Sequence, residues 1–220
     1  HEDIDMLIPR GGAALHKFCR ENSQIPVMTG GIGICHLYVD DSADLDAALP
    51  LIQNAKIQRP SVCNALDTIL VSKAVAAEFI PRVVALLAAD GVSFRLDQSV
   101  YQMVNTHSLP NSQKAGSGDF DTEWLSLVLG IKVVEGLDEA AEHIAVHSTG
   151  HSDGILTRDN RNADRFIAAV DSAAVYVNAS TRYTDGAQLG LGAEVAISTQ
   201  RLHARGPMAL QELTIYKYVI

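Results

Sequence analysis

The sequence predicts an α/β fold in which helices cover both faces of a mostly parallel sheet. Short apolar or β-branched runs alternate along the chain with stretches whose apolar residues recur at helical spacing. The composition, 47% apolar and 20% charged, is typical of a globular protein. A chain of 220 residues is long enough for one large domain, or for one domain with a short appendage.

Each element follows from a local pattern. The predicted strands are 5–8, 26–28, 36–39, 68–71, 92–96, 131–135, 154–157 and 174–177. The predicted helices are 13–20, 45–55, 74–89, 137–147 and 162–170. Ser42 or Asp44 is suited to cap the second helix, whereas Pro50 argues against one uninterrupted helix there.

Three further segments have a distinct character. Residues 105–118 are rich in Asn, Ser and Gly, which predicts a loop. Residues 180–207 form a long irregular stretch with polar groups, and such stretches usually carry function. The tail, 213–220, is apolar and β-prone, so we expect it to add a strand to the sheet of another domain or subunit.

Charge and cysteine usage restrict the classes of function. The net charge of −9 argues against nucleic acid as a partner, and no apolar run approaches the roughly 20 residues of a membrane helix. The acidic start is unlike a signal peptide, and the missing initiator Met suggests a piece of a longer protein. Three widely spaced cysteines indicate neither a disulfide framework nor a metal site, which favours the reducing cytoplasm.

Cys63 is the cysteine best placed for chemistry, because it lies between a predicted helix and a predicted strand. Lys56 and Arg59 bring positive charge nearby, and such charge lowers a thiol pKa and creates a nucleophile. A small buried hydrophobe is the competing interpretation. For Cys19, on a helix, and Cys35, beside a strand, that second interpretation is favoured.

Other candidate residues are less specific. The sequence Gly-Gly-Ile-Gly at 30–33 is either part of a dinucleotide loop or a plain turn between strands. Histidines at 36, 151 and 203 are possible bases, but spacing alone pairs none of them with Cys63. Arg182 and Arg205 are suited to hold a carboxylate or phosphate through two parallel hydrogen bonds, or are solvated surface groups.

Taken together, several ordered stretches resemble the gamma-glutamyl phosphate reductases, within the aldehyde dehydrogenase superfamily. Two of them are Arg-Pro-Ser-Val-Cys-Asn-Ala at 59–65 and Val-Asn-Ala-Ser-Thr-Arg-Tyr-Thr-Asp-Gly at 177–186. The others are 5–12, 33–40, 151–153, 190–194, 197–199 and 203–207. Tyr183 stands where the family commonly has Phe. The resemblance spans nearly the whole chain and implies an aldehyde-dehydrogenase-like catalytic domain with three layers, α/β/α.

The resemblance also implies a reaction, in which NADPH reduces L-glutamyl 5-phosphate to L-glutamate 5-semialdehyde and phosphate in proline biosynthesis. Cys63 would be the nucleophile that forms a thioester. Gly11 and Gly12 resemble the turn against the cofactor, and Glu123 resembles the carboxylate that binds its ribose, although a solvated glutamate is the alternative. The stretch 27–31 lacks the glutamate that activates water in acid-forming relatives, which favours reduction of an acyl phosphate.

Motif position and chemistry make Arg182 and Arg205 candidates for the substrate carboxylate, with Asn178 and Ser180 lining the pocket. We expect 1–29 to end a cofactor-binding domain that is otherwise missing, 30–208 to form the catalytic domain, and 209–220 to provide a strand for the oligomerisation or inter-domain sheet of a full-length homo-oligomer. Alone, the chain should bind NADPH weakly. The alternatives are an NAD(P)-dependent aldehyde dehydrogenase of other specificity, and a catalytically incomplete fragment that serves only as an assembly module.

Overall fold

The computed structural model describes residues 3–104, 109, 112–201 and 204–220. The chain forms two compact units, one made of residues 33–183 and the other of residues 1–32 together with 184–220. Residues 184–208 therefore fall outside the larger unit, although the sequence assigned them to the catalytic domain. The functional domains proposed from the sequence stay a prediction.

The elements occur in the following order. The strands are β1 (Cys35–Val39), β2 (Leu66–Ser72), β3 (Ser93–Leu96), β4 (Gln113–Lys114), β5 (Val128–Val134), β6 (Ser152–Leu156), β7 (Ala174–Val177), β8 (Ala196–Ser198) and β9 (Gly206–Met208). The α-helices are α1 (Ala13–Asn22), α2 (Leu45–Ile57), α3 (Lys73–Ala89), α4 (Gln98–Met103), α5 (Leu137–His147) and α6 (Asn160–Ala169).

The larger unit is built on a seven-stranded sheet with the order β4-β3-β5-β2-β1-β6-β7. Every pair of neighbouring strands in it is parallel. The predicted parallel α/β sheet is thus confirmed. From β1 the chain first adds β2 to β5 on one side of this strand, and it then adds β6 and β7 on the other side. The direction of winding therefore reverses between β1 and β6.

Alternating side chains of the central strands build the core on both faces of this sheet. Val39 and Ile69 belong to the cluster that also contains Phe79 of α3. Their neighbours along the strands point the other way, so that Tyr38 belongs to the cluster that contains Phe166 of α6. Burying such a side chain contributes about 1.5–3 kcal/mol, so each layer of helices is fixed by several such contacts. The result is the predicted three-layer arrangement.

Helix α2 runs without a break, contrary to what Pro50 suggested. Asp44 caps its start, where the carboxylate accepts the N–H of Ala47 at 3.1 Å. Proline removes one backbone hydrogen bond, and the packing of Ala48 and Ile52 in the core outweighs that loss. The sequence missed α4, and it also missed β4, which lies inside the predicted loop at 105–118.

In the smaller unit, two predicted strands are wrong as strands. Residues 5–8 and 26–28 meet only at a single bridge between Leu7 and Val27. The irregular stretch at 180–207 contains β8, which pairs with β9 as an antiparallel hairpin that the sequence did not reveal. The tail beyond Leu213 forms no strand, and Ile215 is fully exposed. Within the described ranges, no helix is long and apolar enough to cross a membrane.

Candidate active site

Three loops meet at one edge of the seven-stranded sheet, which we call the amino edge. Gly33 lies two residues before β1, Cys63 precedes β2, and Glu123 precedes β5. These strands are parallel neighbours in the order β5-β2-β1, so the loops that enter them lie side by side. Residues far apart in the sequence therefore converge on the cysteine.

Cys63 is partly buried and is held through its backbone. Its carbonyl oxygen accepts the thiol of Cys35, with Sγ at 3.3 Å. Burial, followed by the nearby Asp67, raises the pKa of the Cys35 thiol well above its usual value, so that thiol keeps the proton it donates. Gly33 lies against the same carbonyl, since a Cβ at Gly33 would sit 1.5 Å from the oxygen of Cys63. Only glycine permits this approach.

Glu123 joins this arrangement through Gly33. Its Oε1 atom accepts the N–H of Gly33 at 2.8 Å. Burial raises the pKa of Glu123, and the hydrogen bond from Gly33 opposes that change. Two residues that the sequence singled out, Cys63 and Glu123, thus contact the same glycine. A carboxylate accepts several hydrogen bonds, so Glu123 retains capacity for a further donor.

A buried ion pair lies beside the cysteine loop. Lys56 is fully buried, and its Nζ donates to the carbonyl of Leu66 at 2.8 Å and lies 4.0 Å from Oδ1 of Asp67. Burial lowers the pKa of Lys56 to about 8 and raises that of Asp67 to about 6, and the attraction between the two charges opposes both changes. Lys56 was expected to supply charge to the thiol, but its ammonium is committed to this pair. Arg59 is exposed.

The residue after the cysteine is tied to the segment that follows β7. The hydroxyl of Thr181 donates to the carbonyl of Asn64 at 2.7 Å, and Nη1 of Arg182 donates to the side-chain oxygen of Asn64. The Nε of Arg182 is buried and has no partner among the described residues. The guanidinium predicted to bind substrate is therefore adjacent to the cysteine loop, with a donor still to be satisfied.

Asn178 and Ser180 serve local structure in this segment. Asn178 has a φ of 53°, and its side-chain amide bonds both the N–H and the carbonyl of Thr157. The Oγ of Ser180 accepts the N–H of Arg182 at 3.2 Å, at the start of a 3₁₀ helix, Thr181–Tyr183. Their roles in substrate binding stay predictions, and the geometry favours Arg182 over Asn178.

Two of the candidate histidine bases, His36 and His151, are buried and contact side chains other than Cys63. Nδ1 of His36 lies 3.0 Å from Oδ1 of Asp153, and both groups are fully buried. His151 is buried as well, with Nδ1 at 2.9 Å from the hydroxyl of Ser152. Burial lowers the pKa of His151 to about 4, so the ring is neutral at physiological pH. His203 lies outside the described residues.

The smaller unit contains the remaining candidates. Gly12 is the N-cap of α1, where no described side chain caps the helix and a Cβ would meet no atom within 4 Å. Gly11 lies against Leu15, and Arg205 is exposed. The N–H of Gly31 donates to Ile197 of β8 at 2.8 Å, and a Cβ at Gly31 would lie 2.3 Å from a methyl of Thr199. This favours a packed turn over a phosphate loop at 30–33.

The opposite, carboxyl edge of the sheet has a cavity of about 290 Å³. It lies beside α2 and the ends of β6 and β7, and Leu51, Arg158 and Asn178 contribute to its lining. Open α/β sheets usually bind ligands at this edge, where the winding reverses. In this chain the cysteine is at the other edge. Among the described residues, no group of three or more His, Cys, Asp or Glu side chains could hold a metal ion.

Comparisons with known proteins agree with this architecture. No protein-family model matches the chain. It is 58% identical over 219 residues to a gamma-glutamyl phosphate reductase of Roseiflexus castenholzii, which covers 99% of this chain and 52% of that protein. The crystal structure of a gamma-glutamyl phosphate reductase from Thermotoga maritima matches with a TM-score of 0.93 at 50% identity, over 99% of this chain and 51% of that one.

A more distant structure defines the class. An acetylating aldehyde dehydrogenase from Geobacillus thermoglucosidasius matches with a TM-score of 0.66 at 21% identity, over 89% of this chain and 51% of that one, and so shares the fold. The larger unit is therefore an aldehyde-dehydrogenase-like α/β domain. Within that class, the chain is a homologue of the gamma-glutamyl phosphate reductases, and it spans about half the length of the curated relatives it matches.

Proposed function

We propose that this chain forms the cysteine-bearing half of an oxidoreductase that reduces L-glutamyl 5-phosphate to L-glutamate 5-semialdehyde, with NADPH as the reductant, in proline biosynthesis. The observation that carries this proposal is the convergence of Cys63 and Glu123 on Gly33. The identity to relatives named gamma-glutamyl phosphate reductase supports the choice of substrate. We place the enzyme in the cytoplasm, as a homo-oligomer completed by a cofactor-binding half.

Cys63 performs the covalent chemistry. Its thiolate attacks the acyl carbon, the bond from that carbon to the phosphate oxygen breaks, and phosphate leaves with the electron pair. When bound, the cofactor supplies a hydride to the thioester carbon. The bond from carbon to Sγ then breaks, which releases the aldehyde and returns the electron pair to Cys63 as thiolate. One acyl phosphate and one hydride thus give one aldehyde and one phosphate.

The residues that the family resemblance assigns to the cofactor each have suitable chemistry within their own unit. Glu123 offers a carboxylate whose Oε1 already accepts one N–H, and such a group also accepts a ribose hydroxyl. Gly11 and Gly12 start α1 without a side-chain cap, and the N–H groups at the start of a helix favour phosphate. We assign these three residues to the cofactor.

Arg182 is the candidate that best fits the carboxylate of the substrate. Its guanidinium is anchored on Asn64, next to Cys63, while its buried Nε has no partner among the described residues. An incoming carboxylate would satisfy that donor and form a charge-assisted hydrogen bond. Ser180 and Asn178 remain proposed contributors to this pocket, and Arg205, in the smaller unit, remains a separate candidate for the substrate carboxylate.

The proposal is tested by Cys63→Ala in the full-length enzyme that carries this chain. We expect phosphate-dependent NADP reduction with glutamate 5-semialdehyde to fall by about 10³-fold or more, because no covalent intermediate can form. Cys19→Ala is the matched control, since that residue lies on α1, and it should retain activity. Substantial turnover by Cys63→Ala would overturn the mechanism.

Substrate choice is tested separately. Arg182→Ala should raise the KM for glutamate 5-semialdehyde by about 10-fold or more, the size expected for losing a charge-assisted hydrogen bond. An unchanged KM would remove Arg182 from the pocket. Equal activity with simple aldehydes would favour an aldehyde dehydrogenase of other specificity. If the chain were an assembly module without catalysis, iodoacetamide should modify Cys63 no faster than Cys19.

A further inference from the structure

The carboxylate of Asp67 connects three strands at the amino edge. Its Oδ2 accepts the N–H of Cys35 at 3.3 Å, and its Oδ1 accepts the N–H of Trp124 at 3.1 Å. Lys56 lies 4.0 Å from Oδ1 and is itself fixed on the carbonyl of Leu66. One side chain of β2 therefore binds the start of β1 and the approach to β5.

The two residues whose N–H groups Asp67 accepts, Cys35 and Trp124, are each linked to the proposed site. Cys35 donates its thiol to the carbonyl of Cys63 at 3.3 Å. Trp124 follows Glu123, which accepts the N–H of Gly33 at 2.8 Å. Gly33 in turn lies against the carbonyl of Cys63. The contacts close a ring in which the cysteine loop and the loop of Glu123 are each held from two sides.

Stability alone does not account for a charged pair at this position. Lys56 is fully buried and Asp67 is 2% exposed. Removing such charges from water costs several kcal/mol each, and packed apolar residues of the same volume are often as stable or more stable. What apolar residues could not supply is a pair of acceptor oxygens at a fixed distance from two backbone N–H groups.

We propose that Asp67, supported by Lys56, is a positioning residue that fixes Cys63 relative to Glu123. The inference rests on the proposed function, in which these two residues hold the acyl group and the cofactor. In this proposal Asp67 itself contacts neither the acyl group nor the cofactor. It acts through Cys35 and Trp124, so its loss misplaces the nucleophile. A misplacement of about 1 Å lowers the rate of such a step by about 100-fold.

The titration of Asp67 provides a readout that a merely structural role would not move. The ionisable groups that face its carboxylate are Lys56 of α2, Cys35 of β1 and Glu123 before β5. Burial, opposed by Lys56, raises the pKa of Asp67 to about 6. As the pH falls through that value, the carboxylate gains a proton and becomes a weaker acceptor. The wild-type kcat should therefore decline on the acid side.

The experiment measures kcat, KM and their pH profiles for Asp67→Asn in the full-length enzyme. We expect kcat to fall by about 10- to 100-fold with the KM for the aldehyde within about 3-fold, because binding groups are untouched. The acid limb near pH 6 that belongs to Asp67 should disappear. Asp97→Asn is the matched control. Its carboxylate also accepts two N–H groups, those of Val100 at 2.7 Å and Val133 at 3.2 Å, away from the cysteine.

A second variant keeps the inference testable if Asp67→Asn leaves Lys56 as an uncompensated charge and does not fold. Lys56→Met/Asp67→Asn removes both charges and should show the same loss of kcat. If these variants keep the wild-type kcat and the acid limb of its pH profile, the positioning role is overturned. This holds even if their stability falls as much as that of the control Asp97→Asn. An active Cys63→Ala would instead overturn the proposed function, so the two failures are distinguishable.

Discussion

Two aspartates at opposite edges of the same sheet are about equally buried, but burial and hydrogen bonding shift their pKa values in opposite directions. Asp67, at the amino edge, is 2% exposed, and Asp40, directly after β1 at the carboxyl edge, is 1% exposed. Burial raises the pKa of Asp67 to about 6. Burial acts in the same direction on Asp40, but hydrogen bonds from Ser42, Thr157 and Asn162 outweigh it and lower its pKa.

The difference lies in the number and kind of donors. The Oδ2 of Asp40 accepts the hydroxyls of Ser42 at 2.7 Å and Thr157 at 2.8 Å, and the amide of Asn162 at 3.2 Å. Asp67 has two backbone N–H groups and one lysine. A carboxylate with many donors stays ionised and joins loops, whereas one whose pKa lies near neutrality is typical of functional sites. Asp40 thus joins loops at the carboxyl edge, whereas the amino edge holds the residues that we propose for the chemistry.

Gly33→Ala gives the largest expected effect at the amino edge. The added Cβ would lie 1.5 Å from the carbonyl oxygen of Cys63, so backbone must move on one side or the other. We expect a loss of about 4 kcal/mol or more in the free energy of unfolding, measured with urea, together with loss of activity in the full-length enzyme. Gly136→Ala is the control, because a Cβ there meets no atom within 4 Å. Equal behaviour of the two variants would contradict the close approach at Gly33.

Asp40→Asn tests the carboxyl edge. The new amide places a donor where the hydroxyls of Ser42 and Thr157 already donate, so at least one buried bond is lost. The expected loss of stability is about 3 kcal/mol. In urea unfolding this variant should be clearly destabilised, while the rate of Cys63 alkylation in the folded chain stays that of wild type. A changed alkylation rate would mean that the two edges are not independent.

Much of this arrangement could be predicted from the sequence, and the reasons differ by element. β1, α3 and α5 have strong periodicity, so they were found within a few residues. α4 and the β8–β9 hairpin are short, and their pairing depends on distant residues, which local patterns do not encode. Cys63 was proposed from its local sequence and then from a family resemblance, and Glu123 from the resemblance alone; both roles stay predictions.

The supporting residues of the site were missed. Asp67 carried one available signal, a carboxylate inside an otherwise apolar β-branched run. Its partners could not be predicted, because they come from other strands and their register is set only by the folded sheet. The contact between Gly33 and Cys63 is of the same kind, since 30 residues separate the two and only packing brings them together.

The pH dependence of stability tests the raised pKa of Asp67, and His151, a second buried group at the amino edge, provides the reference. Burial lowers the pKa of His151 to about 4, below the value of about 6.5 in an unfolded chain. Between these values only the unfolded state gains the proton, so the free energy of unfolding falls on acidification, by up to about 1.4 kcal/mol per pH unit. Asp67 acts oppositely, since its folded pKa of about 6 exceeds its unfolded value.

Asp67→Asn should therefore lose stability more steeply than wild type between pH 6 and pH 4.5, by about 1.5 kcal/mol over that range. Urea unfolding at several pH values measures this slope. His151→Asn, which removes the opposite contribution, should give a shallower slope than wild type. If the free energy of unfolding changed with pH in parallel for Asp67→Asn and wild type, Asp67 would titrate near its ordinary pKa. The contrast in pKa between Asp67 and Asp40 would then fail.

Asp97→Ala gives the smallest expected effect and tests whether a carboxyl-edge carboxylate matters only for stability. Asp97 follows β3 and caps α4 by accepting the N–H of Val100 at 2.7 Å, and it also accepts the N–H of Val133. Losing an N-cap costs about 1 kcal/mol, and α4 is only six residues long, so local fraying absorbs part of the change. Hydrogen exchange at Val100 should accelerate while kcat of the full-length enzyme is unchanged. A fall in kcat would show that the carboxyl edge also communicates with Cys63, and the division between the two edges would then fail.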